Sequence, residues 1–181
     1  MINFAKTYLC KKNASLKPFF VETLVRWSDL DANRHLANAS YMNFTSFARM
    51  GFIRHLGVTM HDLAHWNIGP AVLREEFSFF KEAYDNQEII ITVELTGMSE
   101  FGEIFEFTHN LYLKNNGTHL AFSKVFGVWF GMNDRKISPL PEDFLKKFKD
   151  KFNPSDLKTL SLADIKSLPV KPQNIDISQI I

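Results

Sequence analysis

Four strand-like segments follow one another without a helix between them, Ala71–Phe80, Glu88–Thr96, Ile104–Lys114 and His119–Phe130, and the one long helical pattern precedes all four. In the second, Ile89, Ile91, Val93 and Leu95 alternate with Glu88, Thr92 and Glu94, the period of a strand with one buried face. The third alternates too and places Phe105, Phe107, Leu111 and Leu113 on one side. Asn115-Asn116-Gly117 separates it from the fourth; Asn and Gly tolerate positive φ, so a hairpin and an antiparallel pair are expected there. A doubly wound sheet needs strands that alternate with helices, and this order excludes it. One long helix against one antiparallel sheet remains, an α+β architecture.

The helical pattern begins at Asn38. Tyr41, Phe44, Phe47, Ala48, Gly51, Phe52 and Leu56 fall mostly at intervals of three and four, and Gly57 follows the expected end. Lys17–Trp27 reads as a first strand after a mostly polar segment, Lys11–Leu16, and a second, short helix is expected over Met60–Trp66. Beyond Met132, Pro139 and Pro141 precede a helical stretch from Glu142 to Phe152, and Asn153-Pro154 opens a weaker segment. The 181 residues make one domain, with a core over about 18–140 and a helical extension over about 141–181.

Composition narrows the function classes. A net charge of +1 with scattered basic residues argues against nucleic acid as a partner. The densest basic cluster, Lys146, Lys147, Lys149 and Lys151, is interleaved with apolar residues and acids, as on a solvated amphipathic helix. Cys10 is the single cysteine, which excludes an internal disulfide and a cysteine zinc site and points to a reducing compartment. No apolar run approaches the ~20 residues that span a bilayer. In MINFAKTYLCKK the basic residues mostly follow the apolar ones, the reverse of a secretory signal, so the expected location is cytoplasmic. Eighteen Phe residues suit a core between a sheet and a helix and say nothing about chemistry.

The chemistry concentrates in WSDLDANRHLANASYMNF, Trp27–Phe44, which sets Asp29, Asp31, His35, Asn38 and Tyr41 close together ahead of the helix. An aspartate just before a helix can accept backbone N–H bonds and meets the helix dipole favourably. That explains one Asp, and Asn38 too could serve as a cap. It leaves a second Asp, a His and a Tyr unexplained. Asp29 and Asp31 stand two apart after a strand and would share a face if extended geometry persists.

The string D29-x-D31-x-x-x-H35-x-x-N38-x-x-Y41, followed by Ala48-Arg49, resembles the hotdog-fold acyl-CoA thioesterases of the 4-hydroxybenzoyl-CoA thioesterase type. The run Arg74–Phe77, the segment Lys81–Ile89, and Trp129, Arg135-Lys136 and Leu140-Pro141 are similar in order, so the resemblance spans roughly 18–141. It implies a long helix wrapped by a curved antiparallel sheet and a homodimer or dimer of dimers with active sites at the shared interface. It also implies hydrolysis of an acyl-CoA or acyl-carrier-protein thioester without metal or cofactor. Asp31 takes the place of the carboxylate that attacks the carbonyl or activates water. The oxyanion donors fall among the backbone N–H groups of His35 to Ala39. His35, Asn38, Ala39, Tyr41 and Asp29 become supporting residues, with Asp29 and Tyr41 largely structural. Two departures stand out: relatives often carry Asn-Asn at Ala37-Asn38, and Gly at Arg34, where a Cβ disfavours positive φ.

The chemistry is coherent by itself, since thioester hydrolysis needs a nucleophile or base near the carbon and donors aimed at the oxygen. A helix N-terminus supplies such donors. Phe44, Phe47, Phe52, Phe77, Phe79 and Phe105 offer a core or an acyl tunnel, and Arg34, Arg49, Arg54, Arg74 and Lys81 offer partners for CoA phosphates. His61 and His65 share a helical face but lack the Glu of a zinc-protease motif, and Glu75 and Glu76 read as solvated strand charges. Two rival readings remain: a non-catalytic acyl-CoA-binding hotdog protein, and a hydratase or dehydratase. The latter's D-x-N-P-x-H pattern lacks its Pro here, and its His comes one residue early in Asp31–His35.

Overall fold

A computed structural model of the chain describes residues 19–170 and, beyond them, Pro172, Asn174 and Ile177. Cys10, the segment Lys11–Leu16 and the start of the expected first strand lie outside the described residues. The elements are β1 (Phe19–Leu24), α1 (Asn38–His55), α2 (Met60–His65), β2 (Ile68–Phe79), β3 (Glu88–Met98), β4 (Ile104–Leu113), β5 (His119–Gly131), α3 (Glu142–Lys151), β6 (Lys158–Thr159) and α4 (Leu162–Lys166). Hydrogen bonding orders the sheet β1-β3-β4-β5-β2, so β2, which precedes β3 in sequence, lies beside β5 at an edge. β1 runs antiparallel to β3, with Phe19 opposite Val93 and Leu24 opposite Glu88. No helix among the described residues is long and apolar enough to cross a membrane.

The chain divides into two compact units. The first holds the chain to His55 with Glu76–Glu94 and Thr108–Lys124. Here α1 packs on β1. Gly51 permits the approach, since a Cβ there would sit 3.2 Å from Val21 Cγ1. The helix buries Tyr41, Thr45, Ala48 and Phe52, a stripe at intervals of four, three and four. Phe47, expected on that face, is 52% exposed, because the 3.6-residue period puts Thr45 and Ala48 inward instead. On the sheet, Ile89, Ile91 and Val93 are buried as expected. Gly117 closes the hairpin at φ +69, its N–H donating to the Leu113 carbonyl at 2.8 Å.

The second unit holds Leu56–Glu75, Leu95–Phe107 and Val125–Ile181. Thr59 and Asp62 form a reciprocal cap at the start of α2. β2 begins at Ile68 rather than Ala71, ahead of Gly69-Pro70; a proline is tolerated on an edge strand, where no ladder donor is needed. Phe144 of α3 stacks on Trp66 and meets Trp129 edge-on. The extension, expected to be helical, also contributes a strand: β6 pairs in parallel with Gly97 and Met98, a departure from an all-antiparallel sheet. Leu160 then joins a buried cluster with Ile104, Phe126 and Val128, flanked by Ile165 and Leu168. Ile104 and Glu106 are therefore buried along with Phe105 and Phe107, and this end of β4 is covered on both faces rather than one.

Candidate active site at the start of the long helix

The site lies in the first unit and begins where β1 stops. The strand ends at Leu24, and Trp27–Asp29 curl into a 3₁₀ turn. The Arg26 N–H donates to Asp29 Oδ2 at 2.9 Å, which turns that carboxylate back into its own turn. Asp29 and Asp31 therefore do not share a strand face, and the expectation that they would is corrected. The Asp29 carbonyl accepts from the Ala37 N–H at 2.9 Å and from Ser40 Oγ at 2.8 Å, tying the turn to the first turn of α1.

Asp31 sits at the head of a tight loop. Its N–H donates to the His35 carbonyl and its own carbonyl accepts from the Arg34 N–H, both at 3.0 Å. Asp31 Oδ1 accepts from the Asn33 N–H at 2.8 Å, an Asx turn, while Oδ2 makes no hydrogen bond with the described residues. Arg34 takes φ +65, so the left-handed turn is kept despite the Cβ. His35 Nδ1 stands 3.7 Å from Asp31 Oδ1, beyond a hydrogen bond and close enough to attract it when the ring is protonated.

The helix start has no side-chain cap. Asn38 is already inside α1, which corrects its expected capping role, and the preceding residue is Ala37. An alanine side chain has no oxygen to offer the free N–H groups of a first turn. The Ala37 carbonyl accepts from the Ser40 and Tyr41 N–H groups, and the N–H groups of Asn38 and Ala39 have no partner among the described residues. No acidic side chain occupies the first turn either. The helix dipole is thus left open to an incoming oxygen.

Beside this opening lies a cleft of about 340 Å³ lined by His35, Leu36, Asn38, Tyr41, Phe79, Phe80, Lys81 and Glu82. Asp31 is not in the lining; its Oδ1 lies 3.7 Å from Nδ1 of His35, which is. The far wall is fastened to the loop by the Leu36 N–H, which donates to the Ala83 carbonyl at 2.7 Å. Tyr84 meets the His35 ring edge-on at 6.3 Å, and its hydroxyl donates to Glu82 Oε2 at 3.1 Å. That hydrogen bond to Glu82 raises the Tyr84 pKa. Tyr41, only 3% exposed, has its hydroxyl pushed up to about 12, first by burial and then by the charge of Glu82. It remains a donor over the physiological range.

Sequence reasoning missed Glu82, because in Lys81–Tyr84 nothing in spacing distinguishes this acid from a surface charge. Glu75 and Glu76, which it did weigh, do not line the cleft. Phe79 lines it, whereas Phe105 packs against Phe107 and Trp129 in the second unit. No group of three or more potential metal ligands occurs among the described residues.

Residues 25–148 match the model of the thioesterase-like superfamily. Among solved structures the chain is similar to Slr0204, a 1,4-dihydroxy-2-naphthoyl-CoA thioesterase from Synechocystis, with a TM-score of 0.67 and 16% identity over 74% of this chain and 97% of that one. It is similar to the Staphylococcus aureus protein SAV2348, solved in complex with CoA, at TM-score 0.70 and 15% identity over 90% of this chain and all 100% of that one. A DHNA-CoA thioesterase from Staphylococcus aureus gives TM-score 0.68 and 13% identity over 73% and 89%. A search of curated proteins finds no match. At these identities the structures speak for the fold, the expected α+β hotdog. The family rests on the sequence model, whose match covers about two thirds of the chain and takes in the turn, the open helix start and the cleft: the chain belongs to the thioesterase-like superfamily.

Proposed function

We propose that the protein hydrolyses the thioester of an acyl-CoA or acyl-carrier protein, with Asp31 as nucleophile or general base and the N–H groups at the start of α1 as oxyanion donors. One observation carries the reading. The helix has an alanine where a cap belongs, so the Asn38 and Ala39 N–H groups stay open, and Asp31, in the loop that leads into the helix, keeps one carboxylate oxygen without a partner among the described residues. A purely structural helix start gains about 1 kcal/mol from a Ser, Asp or Asn at that position. Forgoing it makes sense where the donors are needed for a substrate oxygen.

In the reaction water adds across the carbonyl carbon–sulfur bond. A C–O bond forms to the acid, the C–S bond breaks, and the thiolate takes up a proton. The open N–H groups hold the carbonyl oxygen as it becomes negative, and each such donor is worth roughly 10²–10³ in rate. His35 lines the cleft with its Nδ1 3.7 Å from Asp31 Oδ1, and the Asn33 N–H holds that carboxylate oxygen in place. Of the basic residues weighed for CoA phosphates, Lys81 lines the cleft. A homodimer belongs to the same proposal, supported by the edge strand β2, which presents Val72, Leu73 and Phe79 to solvent. So does a cytoplasmic location, supported by the lone cysteine.

The test is thiol release from a panel of acyl-CoAs by the native protein and by Asp31→Asn. The variant should lose at least ~100-fold in kcat and still bind acyl-CoA. A single turnover in ¹⁸O water tests the nucleophilic role, because water that opens an anhydride at the Asp31 carbonyl leaves the label in Asp31, whereas a general base never acquires it. No release with any chain length would refute hydrolysis, and near-native turnover by Asp31→Asn would refute the choice of carboxylate.

A further inference from the structure

Two polar groups in the cleft are placed as though for a ligand. Tyr41 is almost fully buried, yet its hydroxyl makes no hydrogen bond with any described residue, and it lines the cleft. Glu82 lines the same cleft; its Oε2 accepts from Tyr84, and its Oε1 has no partner among the described residues. Between them the wall is aromatic, with Phe79 edge-on to Tyr41 at 5.1 Å and Phe80 beside it. A phenol and a carboxylate oxygen that line one cleft, each without a partner among the described residues, match one common functional group: a hydroxyl, which donates to the carboxylate and accepts from the phenol.

We propose that Tyr41 and Glu82 are specificity-determining residues that select acyl groups bearing a hydroxyl and reject those ending in a carboxylate, a proposal that rests on the thioesterase reading above. A plain hydrocarbon leaves both polar groups facing an apolar chain, and a site built to bond a hydroxyl discriminates strongly against the analogue that lacks it. Glu82 is exposed, so water softens the penalty, and tenfold to a hundredfold discrimination is expected rather than the 10⁴ or more of a sealed pocket. An acyl carboxylate meets the Glu82 charge directly. Lys81 lines the same cleft with the opposite charge and would reverse that preference if it, and not Glu82, faced the acyl end.

The experiment uses two matched sets of CoA thioesters: benzoyl, 4-hydroxybenzoyl and 4-carboxybenzoyl, and octanoyl, 8-hydroxyoctanoyl and the mono-CoA thioester of octanedioic acid. Both kcat/KM and the calorimetric Kd are measured. In at least one set the hydroxylated member should exceed the plain one by tenfold or more, and Tyr41→Phe and Glu82→Leu should each bring that ratio to within about twofold. Glu82→Gln, which keeps an acceptor and removes the charge, should retain the hydroxyl preference and raise the carboxylated substrate by tenfold or more. A hydroxyl preference below twofold in both sets, or one unchanged in Tyr41→Phe, overturns the proposal. So does a carboxylated substrate that is preferred by the native protein. If nothing is hydrolysed, the thioesterase reading fails, and the ratios of Kd across the same sets still decide the role of Tyr41 and Glu82.

Discussion

Mild acid should weaken this protein through His109, on the core-facing side of β4. The residue is 0% exposed, and neither ring nitrogen has a hydrogen-bond partner among the described residues. Burial, and secondarily the positive charge of Arg49, lowers its pKa from 6.5 to about 3. The sign follows from linkage: the folded-state value lies below the unfolded one, so the unfolded chain binds the proton first. The stability is fully present above pH 6.5 and falls as the pH drops toward 3. The slope approaches about 1.4 kcal/mol per pH unit, so about 2–3 kcal/mol is lost between pH 6.5 and 4.5 and about 4–5 kcal/mol in all. Against a typical domain stability of about 5–15 kcal/mol that loss is large. His119, lowered chiefly by its partial burial, acts with the same sign and must be replaced in a control. Asp62 and Asp164 are lowered from 3.8, so their contributions fade in a more acidic window. Urea unfolding read by tryptophan fluorescence at half-unit steps of pH measures the curve. His109→Leu should flatten it by about 2–3 kcal/mol between pH 6.5 and 4.5, and at pH 7 should be as stable as the native protein or more so, because it removes an unpartnered polar group. A native stability constant to within ~0.5 kcal/mol over that window, or an unchanged slope in His109→Leu, would refute the reasoning.

Three further substitutions probe other parts of the structure. Ala37→Asp supplies the missing cap: unfolding should show a gain of about 1 kcal/mol while thioester hydrolysis falls at least ~10-fold, since the side chain competes for the N–H groups assigned to the oxyanion. Activity unchanged by that cap would remove α1 from the mechanism. Arg34→Gly relieves the Cβ strain at φ +65 and should raise stability by up to ~1 kcal/mol in denaturant titration, the gain being limited by the entropy of glycine. Gly127→Ala would put a Cβ 2.5 Å from Phe105 Cζ and 2.6 Å from the Ala71 carbonyl oxygen; a loss of about 1–3 kcal/mol is expected, visible as a lower thermal midpoint.

How much of this was legible in the sequence varied with the range of the forces involved. Local signals held: the period of α1, its end before Gly57 at φ +73, and the Asn115-Asn116-Gly117 hairpin all depend on backbone preferences within a few residues. The direction of the Asp29 carboxylate was not legible, since it depends on one hydrogen bond to the Arg26 N–H that replaces extended chain with a 3₁₀ turn. Glu82 reaches the cleft only because the Leu36–Ala83 hydrogen bond brings together segments distant in sequence. His109 obeyed the strand alternation and was still overlooked, because a histidine among Phe107 and Leu111 on a buried face breaks the apolar pattern without a turn or partner to mark it.

The pairing of β6 with β3 bears on synthesis. Ile104, Phe126 and Val128 are completed long before Leu160, Ile165 and Leu168, which cover them. At ~5–20 residues per second the ribosome needs roughly two to six seconds to add the stretch from Val128 to Leu160. Over that interval the nascent chain carries an apolar patch and an unpaired stretch of β3 at Gly97 and Met98. Chains halted before Leu160 would keep both, and they are the species in which association with other nascent chains should begin.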